Sequence, residues 1–473
     1  MSEQDRGLFD GLVDQPAPAR AVGAPRLSSP QRAQVSWQPL ALDDLLPLDH
    51  RARQVWAFVA RIDLSALTAE VKARAGRAGR PAIDPRLLLA LWLYATLQGV
   101  GSARLLARLC TSEAAYRWLC GGVSVNYHAL SDARTAHAAV LERLLVDSVV
   151  ALIEAGVVSL DELAQDGVRV RANAGAGSFR RARTLRQQQA DLRVQVARLR
   201  REVETDPGQA SARVTAARER AAREQAERVD QALATLAALS RSGSADAAND
   251  GADDGAKDGD DDATPPAGGS GTPGKARGKR PKAPRASTTD PQARVMKMAD
   301  GGFRPAFNNQ IVSDPVSQVI VAVDPVATGS DRGQVRGMIE RIEATYGHTP
   351  KRWLVDGGYT CHADVEWAHA RTPVGAPDGG AVGIEVYCPP TRSKHATDPY
   401  QPRLDDGPGV RALRARMASV QGQAIYRRRP PCECIHALMR MRGLQRFLVR
   451  GREKVRAVLL WHAVAHNLTR LNA

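Results

Sequence analysis

The chain lacks the patterns of a secreted, membrane-spanning or zinc-binding protein. Its six cysteines, Cys110, Cys120, Cys361, Cys388, Cys432 and Cys434, form no Cys-x2-Cys pair and no zinc-ligand spacing. Cys432 and Cys434 stand too close together for a disulfide framework, so all six are expected to be reduced thiols of a cytosolic protein. No apolar run approaches the roughly 20 residues that a membrane helix needs, and residues 1–30 lack the apolar stretch of a secretory signal. Acids are scarce where base is dense. From Tyr426 to Ala473 there are 11 Lys or Arg, ten of them Arg, against Glu433 and Glu453 alone.

What is present is positive charge. The 473 residues carry a formal net charge of +15 with a pI near 10.0, which points to a polyanionic partner, DNA or RNA first. Arg dominates the basic residues and suits bidentate phosphate contacts better than Lys. Composition alone leaves a generic basic surface equally open.

Along the chain the patterning divides into blocks. Residues 1–38 mix Pro, Arg, Gln and Ser and read as a flexible lead. Residues 39–158 repeat apolar side chains at helical spacing. Asp84 is placed to cap one helix, with Pro85 at its first position, and Ser102 to cap the next after Gly99-Val100-Gly101. That layout is helix–turn–helix-like, with Arg104, Arg108, Arg117, Arg134 and His128 available for DNA; a helical packing or dimerisation domain is the alternative. Residues 159–179 and 294–473 read as one α/β layer domain interrupted by an insertion. Strands are expected at 161–171, 306–313, 317–323, 352–356 and 384–388, and helices at 331–345, 363–371, 431–441 and 451–470. Within the insertion, Leu185, Leu192, Val196, Leu199 and Val203 keep a coiled-coil spacing up to Pro207-Gly208, and Val229, Leu233, Leu236 and Leu239 mark a second helix. Residues 180–240 therefore read as a helical hairpin. Residues 241–293 read as a disordered linker, because eight Asp between Asp246 and Asp262 are followed by six basic residues between Lys275 and Arg285.

Three acids stand out by local context. Asp166 shares a strand face with Val168 and Val170, an expensive place for an unpaired charge. Asp356 ends the apolar run Trp353-Leu354-Val355, at the carboxyl end of a buried strand, where ligands of open α/β sheets bind. Glu433 follows Pro430-Pro431 and so lies in the first turn of a helix, alone among arginines. One carboxylate in so basic a segment weakens attraction for DNA, but it makes sense if it holds a metal over a phosphate that the arginines position. Taken singly, an Asp-Gly turn, an Asp-Gly-Gly loop and helix-dipole complementarity explain the same three residues. Asp331, in Gly329-Ser330-Asp331, reads as the cap of the helix that follows.

The spacing Tyr426-x2-Arg429-x3-Glu433-x6-Arg440 resembles the Y-(2)-R-(3)-E-(6)-K signature of DDE-type transposases of bacterial insertion sequences, with Arg440 in place of Lys. The likeness extends in order through Gln165-Asp166-Gly167, Asp300-Gly301-Gly302-Phe303, Phe307-Asn308-Asn309-Gln310, Leu354-Val355-Asp356-Gly357-Gly358-Tyr359 and Ala465-His466-Asn467-Leu468. It is similar to the eleven-eighty-two group and covers Pro39 to Leu471 apart from the insertion. The resemblance implies an RNase H-like core and a transposase that cuts the ends of its element and joins them to target DNA. Asp166, Asp356 and Glu433 would be catalytic and hold two Mg²⁺ ions, for which Mn²⁺ would substitute. Tyr426, Arg429 and Arg440 would bind phosphate. The partners implied are double-stranded DNA, as terminal inverted repeats and as target, and a second copy in a homodimer on the DNA ends; the setting is cytoplasmic, with the nucleoid. Pro430-Pro431 interrupts the helix that in the family carries Arg and Glu together, so Arg429 need not share a face with Glu433. An RNase H-like nuclease without strand transfer and an inactive transposase-derived DNA-binding protein are the alternatives.

Overall fold

The computed structural model describes residues 39, 41–74, 76, 78, 81–205, 212–241, 283–371, 383–390 and 398–471. Helices α1 (Arg51–Ala60), α2 (Ser65–Glu70), α3 (Pro85–Leu97), α4 (Ala103–Ser112), α5 (Ala114–Cys120), α6 (Tyr127–Ala136) and α7 (Ala138–Glu154) precede the first strand. The capping reads as expected. Asp84 accepts from the Arg86 amide, with Pro85 at the first position of α3, and Ser102 accepts from Leu105 to begin α4. Between them Gly99 turns the chain at φ +72°, a conformation that glycine adopts without strain.

Eight strands follow: β1 (Glu162–Arg171), β2 (Phe179–Arg180), β3 (Ala286–Ser287), β4 (Arg294–Lys297), β5 (Phe303–Ser313), β6 (Ile320–Val326), β7 (Arg352–Leu354) and β8 (Glu385–Tyr387) among the described residues. The remaining helices are α8 (Ala182–Thr205), α9 (Ala212–Arg241), α10 (Val335–Tyr346), α11 (His362–His369), α12 (Pro408–Ala418), α13 (Val420–Tyr426), α14 (Pro431–Met441) and α15 (Arg452–Leu471). β4 and β6 pair antiparallel with β5, β5 pairs antiparallel with β1, and β1, β7 and β8 run parallel. The architecture is α/β with a mixed sheet and many helices, compatible with an RNase H-like core. None of the described helices is long and apolar enough to cross a membrane.

The core begins in the amino-terminal helices and continues through the sheet. α3 is buried along nearly its whole length, and α15 packs against it, against α7 and against β6. The Trp92 and Trp461 rings lie 6.4 Å apart, and the Trp461 indole donates to the Arg134 carbonyl. The boundary at residue 158 thus separates elements along the chain but not in the packing. The insertion has its own small core, in which Leu185 and Leu192 of α8 meet Val229, Ala232 and Leu236 of α9. Pro207-Gly208 lies outside the described residues.

Three expectations need correction. Residues 283–293, assigned to the linker, are built into the fold: Ala286 joins the hairpin core and Asp290 and Ala293 are fully buried. The residues 242–282 of that segment lie outside the described residues. Arg134, offered as a DNA contact, is buried with its guanidinium 5.2 Å from the Trp92 ring centroid. Asp331 caps no helix, since α10 begins at Val335 after Gln334; its carboxylate is held elsewhere.

Candidate active site

The parallel pairing of β1 and β7 brings the two aspartates together. Its last register pair is Ala164 with Leu354. Asp166 and Asp356 each follow two residues later (166 − 164 = 2 and 356 − 354 = 2), so both lie just beyond the point where the two strands part. Asp356 leaves β7 into a short turn in which its Oδ1 accepts from the Gly358 amide at 2.7 Å. That bond fixes the carboxylate at the strand end.

Asp166 points from β1 toward α14. The start of that helix explains how Glu433 arrives. Pro431 occupies the first helical position, where its missing N–H forfeits no bond. Pro430 precedes it with φ −50° and ψ −31°, already helical. The amides of Cys432 and Glu433 donate to Arg429 and Pro430 carbonyls at 3.1 and 3.0 Å. α14 thus starts only at Pro431, after the chain has left α13 at Tyr426, and a single turn leads into it from Arg429. Arg429, just before the helix, still pairs with Glu433 four residues on, at 3.0 Å. The prolines thus leave Arg429 outside α14 without parting it from Glu433.

All three acids meet on that one guanidinium. Arg429 Nη2 lies 3.1 Å from Asp166 Oδ1 and 3.8 Å from Asp356 Oδ2, while Nη1 holds Glu433. Asp166 is closed in with 12 % of its side chain exposed, whereas Asp356 and Glu433 stay open at 41 % and 63 %. Burial pushes the Asp166 carboxyl up to about 6; Arg429 opposes the rise and the Asp356 charge adds to it. Burial works against the Arg429 cation, yet Asp166 and its neighbours outweigh it and keep the guanidinium protonated above its ordinary range.

The same face of α14 contributes two residues that sequence reasoning missed. Cys432 Sγ lies 3.9 Å from Asp166 Oδ2, and His436 Nδ1 3.5 Å from the same oxygen. Burial raises the thiol to about 12 and lowers the imidazole to about 4, so near neutral pH both are uncharged. Residues 432 and 436 are one helical turn apart, and that spacing was the available signal. Tyr426 ends α13 half-buried, and Arg440 lies exposed in the last turn of α14.

On the other face of β1 a polar network underlies the site. Gln310 Oε1 accepts from Gln165 Nε2 at 2.7 Å and from the Tyr359 hydroxyl at 2.6 Å. The Trp353 indole donates to Gln165 Oε1. Gln310 Nε2 and Asn308 Nδ2 both donate to Asp331 Oδ1, at 3.0 and 2.6 Å. Asp331 packs so closely on the strand that a β-carbon at residue 167 would overlap its Oδ1. Only glycine beside Asp166 admits it.

Among the described residues no three His, Cys, Asp or Glu side chains are grouped to hold a metal ion. The carboxylates meet on a guanidinium and not on each other. Their chemistry nonetheless suits a hard divalent cation, which takes carboxylate oxygen and keeps several waters, and the space they share already attracts positive charge.

Further along the molecule, Arg104, Arg108, Thr111 and Tyr127 line an open recess on α4 and α6. The Arg104 guanidinium lies 5.2 Å from the Tyr127 ring centroid, and Tyr127 stands against His128 at 3.9 Å between centroids. Arg117 is also exposed.

Comparison with known families identifies two stretches. Residues 40–136 match the family model described as Transposase domain (DUF772), and residues 406–472 the one described as Transposase DDE domain. The first spans α1 to α6. The second contains Tyr426, Arg429, Glu433 and Arg440, while Asp166 and Asp356 lie outside both. No curated protein and no solved structure matches the chain.

Proposed function

We propose that this insertion-sequence DDE transposase cleaves DNA at the ends of its element and transfers the strands with Asp166, Asp356 and Glu433 as its catalytic acids. The observation that carries this reading is the meeting of three carboxylates, 190 and 77 residues apart in sequence (356 − 166 and 433 − 356), on one cation. Chance pairing does not assemble three remote acids at the end of a parallel strand pair. Collecting like charges is unfavourable unless a cation belongs among them.

The three acids would hold the divalent metal, Mg²⁺ with Mn²⁺ as substitute. When bound, it supplies charge neutralisation at the phosphate and an oxygen nucleophile at neutral pH. Asp356 and Glu433 are the open ligands facing solvent and DNA; Asp166 is the buried anchor. Arg440 follows Glu433 by seven residues, two turns along the exposed side of α14, and is placed to take a phosphate beside the cut. Tyr426, half-buried at the end of α13, takes a second; with Arg429 and Glu433 these residues follow the Y-R-E-K signature except that Arg440 stands in place of Lys. Arg104, Arg108, Arg117, Tyr127 and His128 form the surface for double-stranded end DNA, where an aromatic ring among arginines suits both backbone and base. Residues 39–158 would carry end recognition, and 159–179 with 294–473 catalysis. The element ends would be synapsed by a homodimer, in the cytoplasm at the nucleoid.

The test is cleavage of a labelled duplex carrying the element end, in Mg²⁺, by Asp166→Asn, Asp356→Asn and Glu433→Gln. These near-isosteric changes remove the charge and keep the shape. Each should lower cleavage by about 10³-fold or more and leave end binding near wild type. An active Glu433→Gln protein would refute the assignment.

A further inference from the structure

Arg429 has a place in the site that its expected phosphate-binding role does not explain. It is 6 % exposed, and its two terminal nitrogens face three carboxylates. Its remaining donor, Nε, is buried without a hydrogen-bond partner. Single donors of Arg416, Arg442 and Arg456 are orphaned too, so what sets Arg429 apart is that three carboxylates share its two terminal nitrogens. The backbone beneath it is fixed by Pro430 and Pro431, whereas the side chain keeps its rotatable bonds. The open side is known as well, because Glu433 and Asp356 are its exposed partners.

We propose that Arg429 is the resident counter-cation of the acid cluster: it occupies the space between Asp166, Asp356 and Glu433 in the metal-free protein and yields that space when a divalent cation binds. This rests on the reading of the three acids as metal ligands and adds an exchange to it. Without a cation the acids would repel one another, so Arg429 keeps the site assembled in advance. With a metal present the guanidinium and the metal compete for the same oxygens. The released side chain reaches the open side, where a DNA phosphate satisfies its orphaned Nε as well as its terminal nitrogens. Arg429 is thus a positioning residue before metal binding and a phosphate ligand after it.

The exchange predicts a direction that a merely structural arginine would not give. In the full-length protein, Mn²⁺ binding is followed by electron paramagnetic resonance for wild type, Arg429→Gln and Arg429→Lys. Arg429→Gln should bind Mn²⁺ about tenfold more tightly or better, the scale on which an adjacent like charge opposes a second cation. Arg429→Lys, which retains the charge, should remain near wild type. Equal or weaker binding by Arg429→Gln overturns the proposal. A second measurement needs no variant: phenylglyoxal modification of wild-type Arg429, read by peptide mass spectrometry, should be slow without metal and rise when Mn²⁺ is added. Unchanged or slower modification with Mn²⁺ also overturns it. Loss of Mn²⁺ binding in Asp166→Asn is the separate control, because an Asp166→Asn protein that binds Mn²⁺ as wild type does would strike at the acid assignment and not at the exchange.

Discussion

Two buried arginines in this molecule have similar surroundings and opposite characters. Arg414, 1 % exposed, is paired with one acid: its Nε donates to Asp406 Oδ2 at 2.6 Å, its Nη2 to Oδ1 at 3.4 Å, and its Nη1 to the Pro399 carbonyl. Burial works against the Asp406 charge, but Arg414 and the Arg403 amide outweigh it and hold that carboxyl below its ordinary value. Arg429 is shared by three acids, has an orphaned donor, and leaves Asp166 well above its ordinary value. One pair is closed and saturated. The other is oversubscribed with negative charge and open on one side, which is the pattern of a site waiting for a further cation.

The largest effect that separates the two falls on Arg414. Replacing it with Ala leaves Asp406 buried without its partner, and breaking a buried pair in this way costs about 3–5 kcal/mol. Urea unfolding should register that loss in the midpoint. Mn²⁺ affinity of the folded fraction should not change, and a shift there would show that the closed pair communicates with the site.

Next comes the pH response of Asp166. Its folded-state value is raised to about 6 from an ordinary 3.8. The favourable contribution of the protonated form is complete below the ordinary value and is lost as pH rises through about 6. That amounts to about 2 kcal/mol between pH 4 and 7 in metal-free protein. Asp166→Asn cannot titrate, so its unfolding free energy in EDTA should lack that decline. A variant with the wild-type pH slope would assign the loss to other groups.

The comparison also marks what a sequence makes legible. Alternation and apolar runs are local properties, and β1, β5, β6 and α14 are found within a few residues of where those patterns put them. The break after Val355 that leaves Asp356 at a strand end is likewise local, and so is the alternation that puts Asp166 on one face of β1. The adjacency of the two acids is not local, because it depends on β1 and β7 pairing in parallel across an intervening insertion. Arg429 is a phosphate ligand only by the family resemblance; its neighbours in space are acids. Arg134 reads as a free cation until α15 brings Trp461 to its carbonyl and α3 brings Trp92 to its guanidinium. β4 and residues 283–293 were missed for a related reason: short polar segments that pair with a longer strand or fill a hairpin core carry little periodicity of their own.

A smaller effect tests how β1 is held beneath the site. Gly167→Ala places a methyl group against Asp331 Oδ1, with Asn308 Oδ1 and Gln310 Nε2 each 3.0 Å from its position. Those side chains are tied to one another by hydrogen bonds, so they yield together or not at all. Overpacking of this kind costs about 1–3 kcal/mol. Cleavage should fall more than end binding does, because the displaced strand carries Asp166. If Gly167→Ala matches wild type in both, the Asp331 network does not set the position of the acid.

The smallest effect is expected between the hairpin and the sheet. Residues 242–282 carry the run of acidic residues from Asp246 and most of the basic run that follows it, with little apolar side chain to bury. The chain leaves α9 at Arg241 and has returned to the hairpin by Ala286, which packs in the same small core as Leu236. A short connection can therefore span the gap. Replacing these 41 residues (282 − 242 + 1) with about ten of Gly and Ser shortens the loop by about two doublings, which removes about 1 kcal/mol of closure entropy. Thermal unfolding should move up slightly or stay level, and end cleavage should persist. The cut must stop at residue 282, because Ala286, Ser287, Asp290 and Ala293 are fully buried. Extending it to 293 should destabilise the protein where the shorter deletion does not. Equal behaviour of the two deletions would show that residues 283–293 contribute nothing to the hairpin or the sheet edge.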